Sequence, residues 1–229
     1  MRTTHPIICT TCLLFGLLAM TALKPGNSPA ADCYKVYEEI MQLYQRYQGD
    51  KGYMKFRSYS IVNMQQGEKL ETEFWKYHEK VLYSNELVAL YQDAGTQVMI
   101  LKNTRSILLR KADATSVPVP DFGTYHRDSL NKMVQTLTCT DASLTMELRS
   151  AYAQHSGISK VVLEYNPAKK LLQKGMYDFT HEKRTDVYEY LIFKEDAGEP
   201  FAGSALSVVF APDNKVRPAY SGFQIKDLR

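Results

Sequence analysis

The sequence lacks the short motifs by which the common enzyme classes are recognised. It contains no G-x-S-x-G, no H-E-x-x-H and no glycine-rich phosphate loop. It also lacks any long block of lysine and arginine, the usual mark of nucleic-acid binding. Internal repeats and low-complexity segments are absent as well. We therefore expect a protein that is not an enzyme and that has no cofactor, no metal and no nucleic-acid partner.

The N-terminal segment, residues 1–31, has too short an apolar core for a membrane anchor. Arg2 provides a positive start, Pro6–Leu23 is apolar, and Pro29, Ala30 and Ala31 offer small residues for cleavage. This order is typical of a secretory signal peptide, with a retained anchor as the alternative. The sequence thus predicts an exported, periplasmic protein whose mature part is one domain, residues 32–229.

Cysteine is scarce, and only Cys33 and Cys139 of the four cysteines lie beyond residue 31. In an oxidising compartment such a pair either forms a disulfide or remains as two buried thiols. Cleavage would remove Arg2 and Lys24 and no acid, leaving 26 basic against 25 acidic side chains. A mature chain so close to neutral argues against a nucleic-acid partner. We expect a monomer.

Segments rich in aromatic and β-branched residues, separated by turn residues, dominate the rest of the chain. Five of them follow one another from Tyr53 to Lys111 without room for a helix, which predicts an antiparallel meander. Later segments of the same kind are Leu144–Tyr152, Ile158–Tyr165, Leu171–Thr180, Val187–Lys194, Ala205–Ala211 and Tyr220–Leu228. We expect a curved sheet of about nine to eleven strands.

Two helices are predicted beside this sheet. The first spans Asp32–Gln48, where apolar residues recur at helical spacing and make a wide apolar and aromatic face. The prolines of Val117–Pro120 predict an extended connector, and a short second helix follows from about Thr124 to Leu137. The fold class is therefore mainly β (α+β): an unclosed half barrel with both helices on its concave side.

Tyrosine, phenylalanine and methionine are abundant, with 16, 9 and 9 copies. Methionine and aromatic side chains make adaptable apolar walls, so a cavity for an acyl chain is one interpretation and an ordinary filled core is the other. The residues placed on this cavity are Tyr37, Ile40, Tyr44, Met54, Phe56, Phe74, Met99, Leu101 and Met146.

Groups that could carry acid–base chemistry are scattered. Of the histidines beyond residue 31, His78 is expected in a strand and His155 and His181 in turns, while His126 stands apart. Glu71 and Glu73 share a strand face, but a position beside a turn is typical of the solvated side of a hairpin. These residues do not suggest a catalytic arrangement, which favours a protein that is not an enzyme.

The order of elements resembles the periplasmic lipoprotein carriers (the LolA-like family) and their half-open barrel relatives. The matching pieces are the helix Asp32–Gln48, the strand F-W-K-Y-H-E-K-V-L-Y, the hairpin Y-Q-D-A-G-T-Q-V-M-I-L and the late segment V-F-A-P-D-N-K-V. The resemblance implies non-catalytic binding and transfer of a lipid or acylated lipoprotein across the periplasm. The alternative is a cell-envelope structural or signalling protein that uses the same fold to bind a protein partner.

The sequence departs from the family in two places. Where the carriers have an Arg-Pro after the aromatic strand, this chain has Lys76, Tyr77 and His78. A tail, Tyr220–Arg229, extends beyond the usual pattern. In the family that arginine holds the helical lid shut, and its absence here, together with the tail, favours the alternative of an envelope protein that binds a protein partner.

Overall fold

A computed structural model describes residues 30–47, 49–112, 127–180 and 182–229. These residues form one 13-stranded sheet. Its strands are β1 Lys51–Val62, β2 Gln65–Gln66, β3 Leu70–Tyr77, β4 Lys80–Ser84, β5 Val88–Gln92, β6 Thr96–Leu101, β7 Ser106–Lys111, β8 Val134–Thr140, β9 Ser143–Leu148, β10 Ile158–Asn166, β11 Leu171–Phe179, β12 Arg184–Glu195 and β13 Gln224–Asp227. The helices are α1 Ala30–Tyr47, α2 Arg127–Met133 and α3 Ser150–Ser156, with 3-10 turns at Ala205–Val208 and Pro218–Tyr220.

The strands are ordered β13-β7-β6-β5-β4-β3-β1-β12-β11-β10-β9-β8, with β2 paired to β1. Neighbours run antiparallel except β13 and β7, which are parallel. The two end strands of the path, β13 and β8, do not pair, so the sheet stays unclosed. A mainly β fold with a curved, half-open sheet is thus confirmed.

Two hairpin turns are stabilised by side chains that accept hydrogen bonds from backbone N–H groups. The Asn85 carboxamide oxygen accepts the backbone N–H groups of Leu87 and Val88, each at 2.9 Å. In the next turn an Asp93 carboxylate oxygen accepts those of Gly95 at 3.0 Å and Thr96 at 2.8 Å. Such Asx turns reverse the chain locally, which is why short polar segments suffice between the strands.

Helix α1 lies in the concavity of the sheet. It contacts β1, β12, β11, β9 and β8, strands that span six consecutive positions in the sheet order. The helix has 18 residues and is about 27 Å long, while neighbouring strands lie about 4.8 Å apart, so α1 runs across the strands rather than along one of them. The α1 face toward the sheet carries Cys33, Tyr37, Ile40, Met41, Leu43 and Tyr44, all buried.

The core is split into two clusters on opposite sides of the sheet. The helix-side cluster lies under α1 and includes Tyr37, Tyr44, Met54, Phe56 and Phe74. The tail-side cluster packs Ala89, Val98, Ile100, Ile107, Leu109, Ala205 and Val209 between β5–β7 and the C-terminal residues 201–225. Strand alternation separates them, because neighbouring residues of a strand point to opposite faces.

Several sequence-based boundaries were wrong. The second helix ends at Met133 rather than near Leu137, since β8 begins at Val134. Helix α3 occupies residues that were expected to form the end of the strand Leu144–Tyr152 and the turn after it. The helix is terminated by Gly157 in the left-handed conformation (φ 76°). Ala205–Ala211 and Tyr220–Leu228 are mostly 3-10 turns and coil, with only β13 extended. The connector Val117–Pro120 lies outside the described residues.

Candidate apolar binding site

Both ends of α1 are fastened to the sheet. Near its start, Cys33 forms a disulfide with Cys139 of β8, with 5.3 Å between the Cα atoms. Near its end, Arg46 Nε donates a hydrogen bond of 2.7 Å to Glu195 Oε1 on β12. The disulfide expected as one of two alternatives is therefore present. The two fastenings differ in kind, because the ion pair is half exposed and the disulfide is covalent.

The start of α1 has a second contact with α2. The Tyr34 hydroxyl donates to the Asn131 side-chain oxygen, and the Arg127 guanidinium lies 4.3 Å from the centre of the Tyr34 ring. Stacking of arginine on an aromatic face is favourable even at partly exposed positions. These contacts hold α1 against α2 on the side where the disulfide fixes it to β8.

Most of the residues that the sequence placed on a cavity come together beneath α1. They are Tyr37, Ile40, Tyr44, Met54, Phe56, Phe74 and Met146, all buried in the helix-side cluster. Met99 and Leu101 are half-buried on β6 and do not belong to that cluster. They share its face of the sheet, as the pairings Phe74–Tyr83, Tyr83–Leu90 and Leu90–Met99 show, but three strands separate β6 from β1.

An apolar pocket of about 130 Å³ opens beside the buried face of α1. We call it the α1 pocket; its lining comes from α1, α2, α3 and β8–β11. The lining residues are Tyr37, Met41, Leu130, Met133, Val134, Met146, Leu148, Tyr152, Ser156, Ile158, Val161 and Tyr177. An apolar cavity of about this size accommodates a benzene-sized group. The end of an acyl chain fits, and a longer chain requires side chains to move aside.

The wall of the α1 pocket is well suited to such movement. Met41, Met133 and Met146 come from three different elements and meet around it. Methionine is unbranched and flexible, so it re-packs around a guest at less cost than a β-branched residue would. Sequence reasoning identified Met146 and missed Met133, which it had placed in the middle of a longer helix rather than at the junction of α2 with β8.

Tyrosines form the floor of the helix-side cluster. The rings of Tyr177 and Tyr188 meet edge to face with 5.7 Å between centroids. Burial raises the pKa of the Tyr177 hydroxyl well above its ordinary value, and the neighbouring Tyr190, Tyr44 and Tyr188 add to the shift. The Tyr177 hydroxyl therefore stays neutral at physiological pH.

The carboxylates and histidines form no catalytic arrangement within the described residues. Glu71 is exposed and ion-paired with Lys55 at 2.9 Å and Arg57 at 2.7 Å. Hydrogen bonds from Lys55 and Arg57 lower the pKa of its carboxyl. His78 lies in the exposed turn between β3 and β4 with a φ of 52°, and not in a strand as expected. His155 lies in α3 rather than in a turn, and His126 and His181 fall outside the described residues.

Among the described residues, no group of three or more histidine, cysteine, aspartate or glutamate side chains is placed to hold a metal ion. No helix in this part of the chain is long and apolar enough to cross a membrane.

Comparison with solved structures returns several distant matches. An uncharacterized conserved protein from Thermus thermophilus is 8% identical, with a TM-score of 0.43, over 84% of this chain and 99% of that one. A putative outer membrane lipoprotein-sorting protein domain from Vibrio parahaemolyticus is 9% identical (TM-score 0.33, 72% and 94%). A LolA superfamily protein from Nitrosomonas europaea is 10% identical (TM-score 0.33, 79% and 98%).

No protein-family model matches the sequence, and no curated protein does so either. The LolA-like group named from the sequence thus recurs among the structural matches. At these identities and TM-scores the matches transfer no activity to this chain.

Proposed function

We propose that this protein binds and carries an acyl-bearing molecule without chemically changing it. The observation that carries the proposal is the α1 pocket: an apolar space of about 130 Å³, walled by methionine and aromatic side chains. Burying an acyl chain there stabilises the complex by roughly 0.8 kcal/mol per CH₂ group and needs no directional chemistry. The cargo is a lipid or an acylated lipoprotein.

The proposed setting is the periplasm, with residues 1–31 removed as a signal peptide and residues 32–229 working as a monomer. The Cys33–Cys139 disulfide supports this setting, because such bonds persist in oxidising compartments and are rare in the cytosol. The resemblance to periplasmic carriers supports it as well. N-terminal sequencing of the protein recovered from a periplasmic extract tests the cleavage.

The test of carriage is native mass spectrometry of protein purified without detergent, followed by titration with a fluorescent fatty acid. We expect co-purified lipid or saturable binding of the probe. Leu148→Trp adds bulk at the pocket wall, where Leu148 is half-buried, and is expected to weaken probe binding. Leu87→Trp adds the same bulk in an exposed turn and serves as the control. Absence of bound lipid together with absence of probe binding would contradict carriage.

The alternative, an envelope protein that binds a protein partner, is favoured in the sequence by the additional tail and by the absence of the family's lid arginine. Here β13 of that tail pairs with β7, and Tyr220, Phe223 and Ile225 pack on the tail-side cluster. The tail is thus engaged with its own sheet, which favours the carrier. Recovery of a stoichiometric protein partner without lipid from an envelope extract would reverse that preference.

A further inference from the structure

The sheet opens between β11 and β12. The two strands pair along most of β11, and their last pair at this end is Lys174 with Glu189. Beyond it β11 stays paired with β10 and β12 stays paired with β1, but residues 171–173 and 190–193 do not pair with each other. We call the space between these two segments the β11–β12 gap.

The gap is built into both strands. The register between β12 and β1 shifts at Leu191, and the register between β11 and β10 shifts at Gln173. Each shift is a β-bulge, which bends its strand and adds local twist. The turn beside the gap is fixed as well, because the Asn166 side-chain oxygen accepts the backbone N–H of Lys169 at 2.9 Å. The two strands therefore part at a defined place.

The gap leads from solvent to the core. It is a mainly apolar space of about 200 Å³. On its inner side lie Met54, Tyr190 and Phe193, which belong to the helix-side cluster or pack against it. On its outer side Leu191 and Ile192 are 42% and 43% exposed. An apolar chain that enters between the strands thus reaches buried apolar side chains directly.

A series of aromatic rings connects the gap with the α1 pocket. Tyr190 lines the gap, and its ring centroid lies 6.4 Å from that of Phe56. The Phe56 centroid lies 6.1 Å from that of Tyr188. Tyr188 in turn lies 5.7 Å from Tyr177, which lines the α1 pocket. Aromatic rings offer large apolar surfaces, so a chain that follows them keeps apolar contact throughout.

The gap and the α1 pocket differ in charge. Among the described residues that line the α1 pocket, none is charged. Among those that line the gap, one is charged: Lys169, which is exposed at its opening. A lone cation beside an apolar opening attracts an amphiphile with an anionic head group. Entry here also leaves both fastenings of α1 intact, the disulfide and the contact of Arg46 with Glu195.

We propose that the β11–β12 gap is the entrance for the guest: its apolar end passes between the strands into the helix-side cluster, and an anionic head group stays outside at Lys169. The inference rests on the proposed carrier function and adds to it a route and the charge of the head group. An extended polypeptide fits the gap less well, because only residues 171–173 of β11 are there to pair with it.

The test measures by stopped flow how fast a fluorescent fatty acid enters and leaves the mature protein. Gln173→Cys and Leu191→Cys place one thiol on each side of the gap, and a short bis-maleimide joins them. Bridging should slow association and dissociation equally, by about tenfold, and leave the Kd unchanged. Glu147→Cys with Lys160→Cys is the matched control, because its bridge joins β9 and β10 where they already pair. The control bridge should change neither rate.

Two further variants test the head group and the role of α1. Lys169→Glu reverses the charge at the opening and should slow association of the fatty acid about threefold at low salt, without affecting its uncharged methyl ester. Replacing Cys33 and Cys139 together by alanine releases the start of α1 from β8. If the guest enters through the gap, this release leaves the association rate unchanged when it is measured well below the unfolding temperature.

The other outcomes overturn the inference in distinguishable ways. A bridged gap that exchanges probe as fast as the unbridged protein rules out the entrance and leaves the carrier function intact. Faster association in the double alanine variant assigns entry to movement of α1. Loss of equilibrium binding on bridging makes the gap the binding site itself and not an entrance. Failure of both probes to bind the wild type contradicts the carrier function and, with it, the entrance.

Discussion

The two faces of the sheet are covered by different elements and bury different kinds of side chain. Beneath α1 the cover is a single helix fastened near its two ends, and the side chains are large, aromatic or flexible. On the opposite face of β5–β7 the cover is the chain's own C-terminal segment, and the buried side chains are Ala, Val, Ile and Leu. The α1 pocket opens on the helix side, beside the buried face of α1.

The difference shows which face is suited to exchange of a guest. Small branched side chains interlock tightly and re-pack poorly, so the tail-side cluster behaves as permanent core. The tail is also held by polar contacts. An Asp93 carboxylate oxygen accepts the backbone N–H of Ala205 at 2.7 Å, and the rings of Tyr91 and Phe201 meet edge to face. Stability and binding are thus expected to respond to different residues.

The largest expected effect tests the covalent fastening on the helix side. Replacing Cys33 and Cys139 together by alanine should destabilise the protein by up to about 4–5 kcal/mol, because the bond closes a loop of about a hundred residues. Urea unfolding of the oxidised wild type and of the double variant measures the loss. Adding a reductant to the wild type should lower its midpoint similarly and leave the variant unchanged. A variant as stable as the wild type would show that α1 does not depend on the bond.

The second prediction tests whether the tail side is permanent core. Ile107→Ala removes a fully buried side chain from the tail-side cluster and should cost about 3 kcal/mol of unfolding free energy. Affinity for the fatty-acid probe, measured well below the unfolding temperature, should not change. Met41→Ala in the α1 pocket is the counterpart and should alter probe affinity. If Ile107→Ala weakened probe binding as strongly as Met41→Ala, binding would depend on both faces of the sheet and the prediction would be wrong.

The smallest expected effect concerns the pH dependence of tail docking. Burial opposes ionisation of Asp93, but backbone N–H donors from Ala205, Gly95 and Thr96 outweigh it and lower the pKa of its carboxyl. A lowered folded-state pKa gives stability that is complete above the ordinary value and is lost as the pH falls through the folded value. Asp93→Asn should therefore cost about 1–2 kcal/mol near neutral pH and progressively less in acid. A cost that is independent of pH would contradict the role of the charge.

The sequence determined what local pattern can determine. The wide apolar face of α1 and the turn residues between short aromatic and β-branched segments were sufficient to predict a helix and an antiparallel meander. Met54, Phe56 and Phe74, which the sequence assigned to one face of the sheet, are buried together in the helix-side cluster. These features follow from periodicity, which is a property of adjacent residues and needs no knowledge of the fold.

The tertiary structure alone decided which surfaces meet. The aromatic residues Tyr220 and Phe223 suggested a strand, yet they form turns because their burial on the back of β5–β7 outweighs their β propensity. The α1 pocket is lined by residues of α1, α2, α3 and β8–β11, so it cannot be recognised from any single stretch of sequence. The disulfide was one of two alternatives until the fold brought Cys33 and Cys139 together across 106 residues. The sequence separation of two distant residues does not reveal whether they are neighbours in the fold. Here the strand order and curvature of the sheet bring them together.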